Sequence, residues 1–154
     1  MTVAEYLQKL CMFSGLNSEL VNIEVEETER RLEARLEVPE EKVDLFVGGK
    51  GETLYSIQHL LRLCFNREYP DKSIILDINN YRQRREERLK EKAVFIGQEV
   101  KQTGQARTLR HLNSYERYLV HTTIAEEEGF EELSTESEDA GDQRWLTIKY
   151  KHEK

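Results

Sequence analysis

Apolar residues at the start of the chain recur every three or four positions, and further on they recur at every second position. Residues 3–16 place their apolar side chains on one helical face, which predicts an amphipathic helix that ends near Gly15. Residues 21–25 and 32–38 alternate apolar with polar side chains, a pattern typical of half-buried strands. We therefore expect a helix followed by a β-hairpin whose second strand ends at Pro39.

The pattern returns to helical spacing on both sides of a glycine-rich segment, Val47-Gly48-Gly49-Lys50-Gly51-Glu52-Thr53-Leu54. Residues 40–46 predict a short helix before this segment, and residues 52–65 predict a longer one after it. Alternating apolar residues at 74–78 then predict a third strand. Residues 1–80 thus have the order αββααβ, which we interpret as a first small domain.

A second set of elements follows Asn79 and Asn80. Residues 81–103 predict a long helix with an apolar stripe, ended by Gly104. The elements after it are a short strand near 108–109, a helix that begins at Asn113 and ends before Gly129, and a hairpin of residues 132–138 and 145–150. Residues 81–154 therefore predict a second small domain of order αβαββ. The expected fold class is α+β, with two small domains in tandem.

Charge is distributed unevenly along the 154 residues, although the net charge is -7. A net acidic chain is not a polycationic nucleic-acid binder. Between Tyr81 and His121, however, ten Lys and Arg residues face five acidic ones, whereas from Thr122 onward the ratio is four to ten. Because salt screens exposed charges within about 8 Å, this local excess matters more than the total. The pattern favours a confined anion-binding face.

Several functional classes lack sequence support. No apolar run approaches the roughly 20 residues that a membrane span needs, and the N-terminus lacks the features of a signal peptide, so we expect a cytoplasmic protein with no direct membrane insertion. Cys11 and Cys64 each lie in an apolar helical pattern and are expected to be buried, reduced thiols. Neither they nor the scattered histidines form a metal pattern. We expect no metal, no cofactor and no catalytic set.

The glycine-rich segment is a candidate phosphate-binding loop. Gly48 and Gly51 allow backbone N–H groups to approach a phosphate at the start of a helix, and Lys50 adds a cation. Taken alone, the same residues could form an ordinary turn. The Gly-Lys-Ser/Thr ending of a nucleotide-hydrolysing P-loop is absent from this segment.

Arg117 and His121 lie four residues apart and therefore share a helical face. Their planar donors suit phosphate oxygens, although a solvated face is the alternative. The basic run of residues 82–92 contains acids as well, which permits intrahelical ion pairing instead of RNA contact. Trp145, Tyr115 and Tyr118 could stack on bases, but aromatic residues of this kind more often lie wholly or partly in the core.

The order of elements around Gly48-x-x-Gly51 resembles a type II KH domain over residues 1–80. In that family the loop clamps about four nucleotides of a single strand. The resemblance assigns Gly48 and Gly51 to the fixed glycines, with Gly49 and Lys50 at the variable positions. This chain departs from the commonest basic pair because position 49 is glycine, so one phosphate-facing charge is missing.

The stretch from Asn113 to His121 resembles the core motif of the domain named for its Arg-x-x-x-His signature, which binds single-stranded polynucleotides. Gly104 and Arg144 fall where that family places a helix end and a strand-leading arginine. The chain departs from relatives at residues 110–112, where a proline and a methionine are usual. The two domains in tandem are similar to the Jag or KhpB group of SpoIIIJ-associated bacterial proteins, without the N-terminal Jag domain of many members.

This resemblance implies a non-enzymatic protein that binds single-stranded RNA, or single-stranded DNA, as a post-transcriptional regulator or RNA chaperone. The RNA-binding residues would be Gly48, Gly49, Lys50, Gly51, Arg110, Arg117, His121 and Arg144. An adaptor for the membrane-insertion or cell-division machinery is the alternative function. The protein partners implied are a membrane insertase, a second small KH protein, or a second copy of this chain.

Overall fold

The computed structural model describes residues 1–151, and its backbone contacts divide into two units, Met1–Arg82 and the chain from Gln83 onward. Each unit has its own hydrophobic core. Each also contains one three-stranded sheet with helices packed on it. The described residues therefore form a mixed α+β protein, as the apolar patterns predict.

The first unit contains three helices and three strands. They are α1 (Val3–Phe13), β1 (Asn22–Glu27), β2 (Arg31–Glu37), α2 (Val43–Val47), α3 (Glu52–Phe65) and β3 (Ser73–Ile78), with short 3₁₀ turns at Ser18–Leu20, Glu40–Lys42 and Gly49–Gly51. The sheet order is β1-β2-β3. β1 pairs antiparallel with β2, which confirms the hairpin, and β2 pairs parallel with β3. Leu7, Leu36 and Leu61 are fully buried between α1, α3 and this sheet.

Two expectations for the first unit are wrong. β1 is less buried than its alternation predicts, because Ile23 is half-buried and Val25 is 38% exposed, whereas the alternating apolar residues of the other edge strand, β3, are buried. Cys64 is exposed, because the buried stripe of α3 runs through Leu61 and Phe65 and leaves the intervening thiol outside the core. Cys11 is buried as expected, and this burial raises the pKa of its thiol.

The second unit contains most of the long helix and a second sheet. Its elements are α4 (Tyr81–Thr103), whose first two residues belong to the first unit, β4 (Arg107–Leu109), α5 (Ser114–Glu126), β5 (Leu133–Ala140) and β6 (Gln143–Tyr150). The strands pair antiparallel in the order β4-β6-β5. Apolar residues of both helices, among them Ala93 and Val120, pack in one core with Leu146 and Ile148 of the sheet.

Candidate nucleic-acid interface

At two positions, the loop between α2 and α3 has a backbone conformation that only glycine adopts easily. Gly48 and Gly51 have φ angles of 72° and 85°. A Cβ atom at Gly48 would lie 2.9 Å from the backbone nitrogen of Thr53, and one at Gly51 would lie 2.9 Å from the Tyr81 ring. Both glycines are therefore required by the close packing of the loop. By contrast, a Cβ at Gly49 would meet nothing within 4 Å.

The loop leads directly into the N-terminus of α3. That helix begins at Glu52, its N-cap residue is Gly51, and no side chain caps its first turn. Uncapped N–H groups and the helix dipole favour an anion at this end. Lys50 is exposed on the loop with a φ of 56°, and the carboxylate of Glu52 lies in the first helical turn. Of the four predicted loop residues, Gly49 and Lys50 are exposed, Gly48 is half-buried and Gly51 is buried.

The sequence alone does not predict the side-chain contacts behind this loop. Gln58 is buried on α3 and accepts hydrogen bonds from the Leu76 backbone at 2.9 Å and from the Arg82 guanidinium at 3.2 Å. The same guanidinium lies over the Tyr55 ring, with its central carbon 5.3 Å from the ring centroid. A polar residue within an apolar stripe, as at position 58, is the one signal that marks this arrangement.

The second candidate site lies on α5, whose start is fixed by a capping box. Asn113 accepts from the Glu116 backbone at 2.8 Å, and the Glu116 carboxylate accepts from the Asn113 backbone at 3.0 Å. Glu116 is buried and also pairs with Arg85 of α4 at 2.5 Å. The reciprocal bonds between Asn113 and Glu116 confirm the predicted N-cap. The Arg85–Glu116 pair shows that part of the basic run on α4 forms an ion pair within the second unit.

Arg117 and His121 are each oriented by a partner within the second unit. The Arg117 guanidinium donates to the Leu112 carbonyl at 2.7 Å and to the Ser114 hydroxyl at 3.1 Å. His121 is exposed, and its Nδ1 shares a hydrogen bond with the Thr135 hydroxyl of β5. When that hydroxyl donates, the neutral ring carries its proton on Nε2, where it can donate to a phosphate oxygen.

An open cleft of about 200 Å³ adjoins His121. Thr135, Phe130 and Lys151 are among the residues that line it. The cleft therefore combines an imidazole, a hydroxyl and an ammonium group around an apolar wall.

Arg110 and Arg144 have local partners of their own. The Arg110 guanidinium lies 4.3 Å from the centroid of the half-buried Trp145 ring. Arg144 pairs with Asp139 across the β5–β6 hairpin at 3.7 Å. Among residues 1–151, no hydrogen bond or ion pair joins either arginine to Arg117 or His121, so the four predicted contacts do not form one hydrogen-bonded cluster.

The expectation that Tyr115 and Tyr118 belong to the core is wrong. Their side chains lie on the outer face of α5 and are 54% and 63% exposed. Tyr115 donates a hydrogen bond to Glu86 at 3.1 Å, and this bond together with the carboxylate charge raises the pKa of the phenol. The helix that carries Arg117 and His121 thus also presents two aromatic rings to solvent.

Metal-binding clusters and membrane-spanning helices are both absent from the described part of the chain. Among residues 1–151, the His, Cys, Asp and Glu side chains form no group of three that could hold a metal ion. None of the helices in that range is both long and apolar enough to cross a membrane.

Comparison with known proteins assigns the second half of the chain to a domain family and finds relatives of most of the chain. Residues 83–150 match the family of the Arg-x-x-x-His domain. The chain is 33% identical over 121 residues to RNA-binding protein KhpB of Clostridium symbiosum. This alignment covers 78% of this chain and 53% of that protein. It is 31% identical over 134 residues to RNA-binding protein KhpB of Bacillus subtilis (strain 168), in an alignment that covers 84% of this chain and 62% of that protein.

The alignments with these two relatives include most of this chain but only about half to three fifths of the relatives' own lengths. A shorter match, 33% identical over 85 residues, relates the chain to RNA-binding protein KhpB of Lactiplantibacillus plantarum. The family match over residues 83–150 includes the helix that carries Arg117 and His121. The chain is therefore a homologue of the KhpB (Jag) proteins over most of its own length, and residues 83–150 form its Arg-x-x-x-His domain.

Proposed function

We propose that this protein binds single-stranded RNA without catalysing a reaction, and that each half contributes one contact to the strand. Residues 1–80 act as a KH-like domain, and residues 81–154 act as the Arg-x-x-x-His domain. The loop geometry carries the proposal, because Gly48 and Gly51 fold the backbone tightly while Gly49 and Lys50 stay exposed beside the uncapped end of α3. The relatives that are named RNA-binding proteins support it.

The second contact uses Arg117 and His121, helped by Arg110 and Arg144. Arg117 is oriented by the Leu112 carbonyl and His121 by Thr135, which lowers the entropy cost of ordering both side chains on a phosphate. Neither contact needs to be strong, since two weak contacts on one strand reinforce each other through effective concentration. Single-stranded DNA is a second ligand that such backbone contacts would accept.

A fluorescence anisotropy titration with labelled single-stranded RNA tests this proposal. The parent is compared with the double variant Gly49→Asp plus Lys50→Asp and with Arg117→Ala plus His121→Ala. Each double variant should bind more weakly at low salt. The slope of log affinity against log salt should become shallower by about 0.7 for each phosphate that the variant no longer neutralises.

A charge-matched control for the first double variant is Gln8→Asp plus Lys9→Asp on the exposed face of α1, which changes the net charge equally and should bind like the parent. Circular dichroism confirms that each variant is folded. If both double variants bind RNA as tightly as the parent does, the assignment of these residues is wrong.

An adaptor function is the alternative, and the net charge of -7 together with Gly49 favours it. In that case the protein would bind the membrane-insertion or cell-division machinery, a second small KH protein, or another copy of itself. Purification from cells separates the two functions. A preparation with high absorbance at 260 nm that nuclease removes supports a cytoplasmic RNA regulator or chaperone, whereas a nucleic-acid-free preparation that captures only proteins supports the adaptor.

A further inference from the structure

Tyr55 places an aromatic ring beside the glycine loop. The residue lies in the first turns of α3 and is 41% exposed. Its Cε2 atom would be 3.0 Å from a Cβ at Gly51, so the ring edge packs against the α-carbon of that glycine. An exposed ring therefore lies within a few ångströms of the backbone that is proposed to hold a phosphate.

The ring is held in place from a second side. The Arg82 guanidinium lies over one face, and it is itself anchored by hydrogen bonds to the Gln58 side chain at 3.2 Å and to the Leu76 carbonyl at 3.5 Å. A cation over an aromatic face is attracted by the negative face of the ring. Arg82 and Gly51 together restrict how the ring can turn, and the exposed part of Tyr55 remains accessible to a ligand.

We propose that Tyr55 is a stacking platform for one unpaired base of the strand whose backbone the glycine loop clamps. This inference rests on the proposed RNA-binding function and adds a base contact to it. Every base has a π-face, so stacking on tyrosine holds bases with little dependence on sequence. The platform also compensates for the missing cation at Gly49, because it supplies binding energy that does not come from charge.

The test compares two ligands of equal length, about eight nucleotides, which is twice the stretch that a KH loop clamps. One is oligouridine, and the other is the corresponding abasic ribose–phosphate strand. The parent should prefer oligouridine by about fivefold or more, the range expected for stacking of a single base. Tyr55→Leu, which keeps an apolar side chain but removes the ring, should lose most of that preference while its affinity for the abasic strand stays unchanged.

Two variants serve as matched controls. Tyr55→Phe retains the ring and should keep the preference for oligouridine. Phe13→Leu removes a ring that is almost fully exposed on α1, and it should also keep the preference. The inference is overturned if Tyr55→Leu discriminates between the two strands as well as the parent does, or if the parent does not discriminate at all.

Failure of the platform can be distinguished from failure of the loop. The double variant Gly49→Asp plus Lys50→Asp should weaken binding to both strands, because both contain phosphates. If this variant weakens both and Tyr55→Leu weakens neither, the loop binds RNA and Tyr55 does not stack. If this variant binds both strands like the parent, the proposed function of the loop fails.

Discussion

Gly48, Gly49 and Gly51 occupy one loop but are subject to different constraints. Side chains at 48 and 51 would collide with Thr53 and Tyr81, and the φ angles of both residues are positive. Gly49 has open space around it, and its φ angle is not in the left-handed region. A substitution at position 49 can therefore introduce a side chain without changing the conformation of the loop.

Gly49→Arg should strengthen RNA binding. The substitution restores a basic pair with Lys50, and the added guanidinium can neutralise one more phosphate. The slope of log affinity against log salt should become steeper by about 0.7, as expected for one additional phosphate on a single strand. Anisotropy titrations at several salt concentrations measure this, with Gly49→Ala as the control that should match the parent. An unchanged slope would show that position 49 does not face the phosphates.

Gly97 on α4 is buried against the Phe130 ring. A Cβ atom there would lie 2.8 Å from the Phe130 Cζ atom and 3.1 Å from the Ile124 Cδ1 atom. Helix propensity favours alanine over glycine, but the overlap opposes it.

We expect Gly97→Ala to lower the free energy of unfolding by about 1–3 kcal/mol, since overpacking outweighs propensity in a filled core. Urea denaturation followed by circular dichroism measures the change. The double variant Gly97→Ala plus Phe130→Leu removes the ring that the methyl group meets, and it should be less destabilised than the sum of the two single variants. Additive losses would contradict the steric explanation.

At the scale of elements, α5 depends on one buried carboxylate. Glu116 closes the capping box with Asn113 and pairs with Arg85, and it is almost entirely removed from solvent. The pair joins the start of α5 to α4 within the second unit. The two carboxylate oxygens of Glu116 accept one hydrogen bond each, from the Arg85 guanidinium and from the Asn113 backbone, and the negative charge strengthens both bonds.

Replacing Glu116 with Gln keeps the shape of the side chain but replaces one of its two acceptor oxygens with an NH₂ group, so we expect a loss of about 2 kcal/mol in the stability of the second unit. Thermal unfolding monitored by circular dichroism reports the loss. Glu126→Gln at the exposed end of the same helix is the matched control and should change stability by less than about 0.5 kcal/mol. Equal effects of the two substitutions would rule out a special role for Glu116.

The apolar period predicts which strands form, but it does not predict how deeply each strand is buried. The alternation in β2 and β3 correctly predicts Leu36 and Leu76 as core residues, because both strands are covered by helices. β1 shows the same alternation, but Val25 is 38% exposed, although β1 and β3 are both edge strands. The period cannot show how completely the packed helices cover a strand, because that coverage is a property of the folded domain.

Residue type is a similarly incomplete guide to the candidate site. The glycine spacing predicts the loop, since few other residues tolerate positive φ. The general preference of aromatic residues for the core predicts that Tyr118 is buried, yet it lies on the exposed face of α5. The contact between Arg82 and Tyr55 involves residues 27 positions apart in the chain. Patterns of apolar and polar residues within one helix or strand cannot predict a contact over that separation. Such contacts become visible only when the elements are packed.

At the scale of the whole molecule, the proposed function distributes binding over two sites in a chain with a net charge of -7. A single site on such a protein is opposed by long-range repulsion of the phosphates, which salt weakens. Two sites on one strand gain affinity because binding at the first raises the effective concentration of the strand at the second. The affinity should therefore depend on strand length in a way that a single site does not produce.

We expect the affinity for oligouridine to rise with length by about tenfold or more once a strand can reach both sites, and then to level off. The double variants at Gly49 and Lys50 and at Arg117 and His121 should each abolish this step, because either one leaves a single functional site. Anisotropy titrations over a series of strand lengths measure it, with the α1 variant Gln8→Asp plus Lys9→Asp as control. If affinity rises only gradually in the parent, with no step that either double variant removes, the two halves do not bind one strand together.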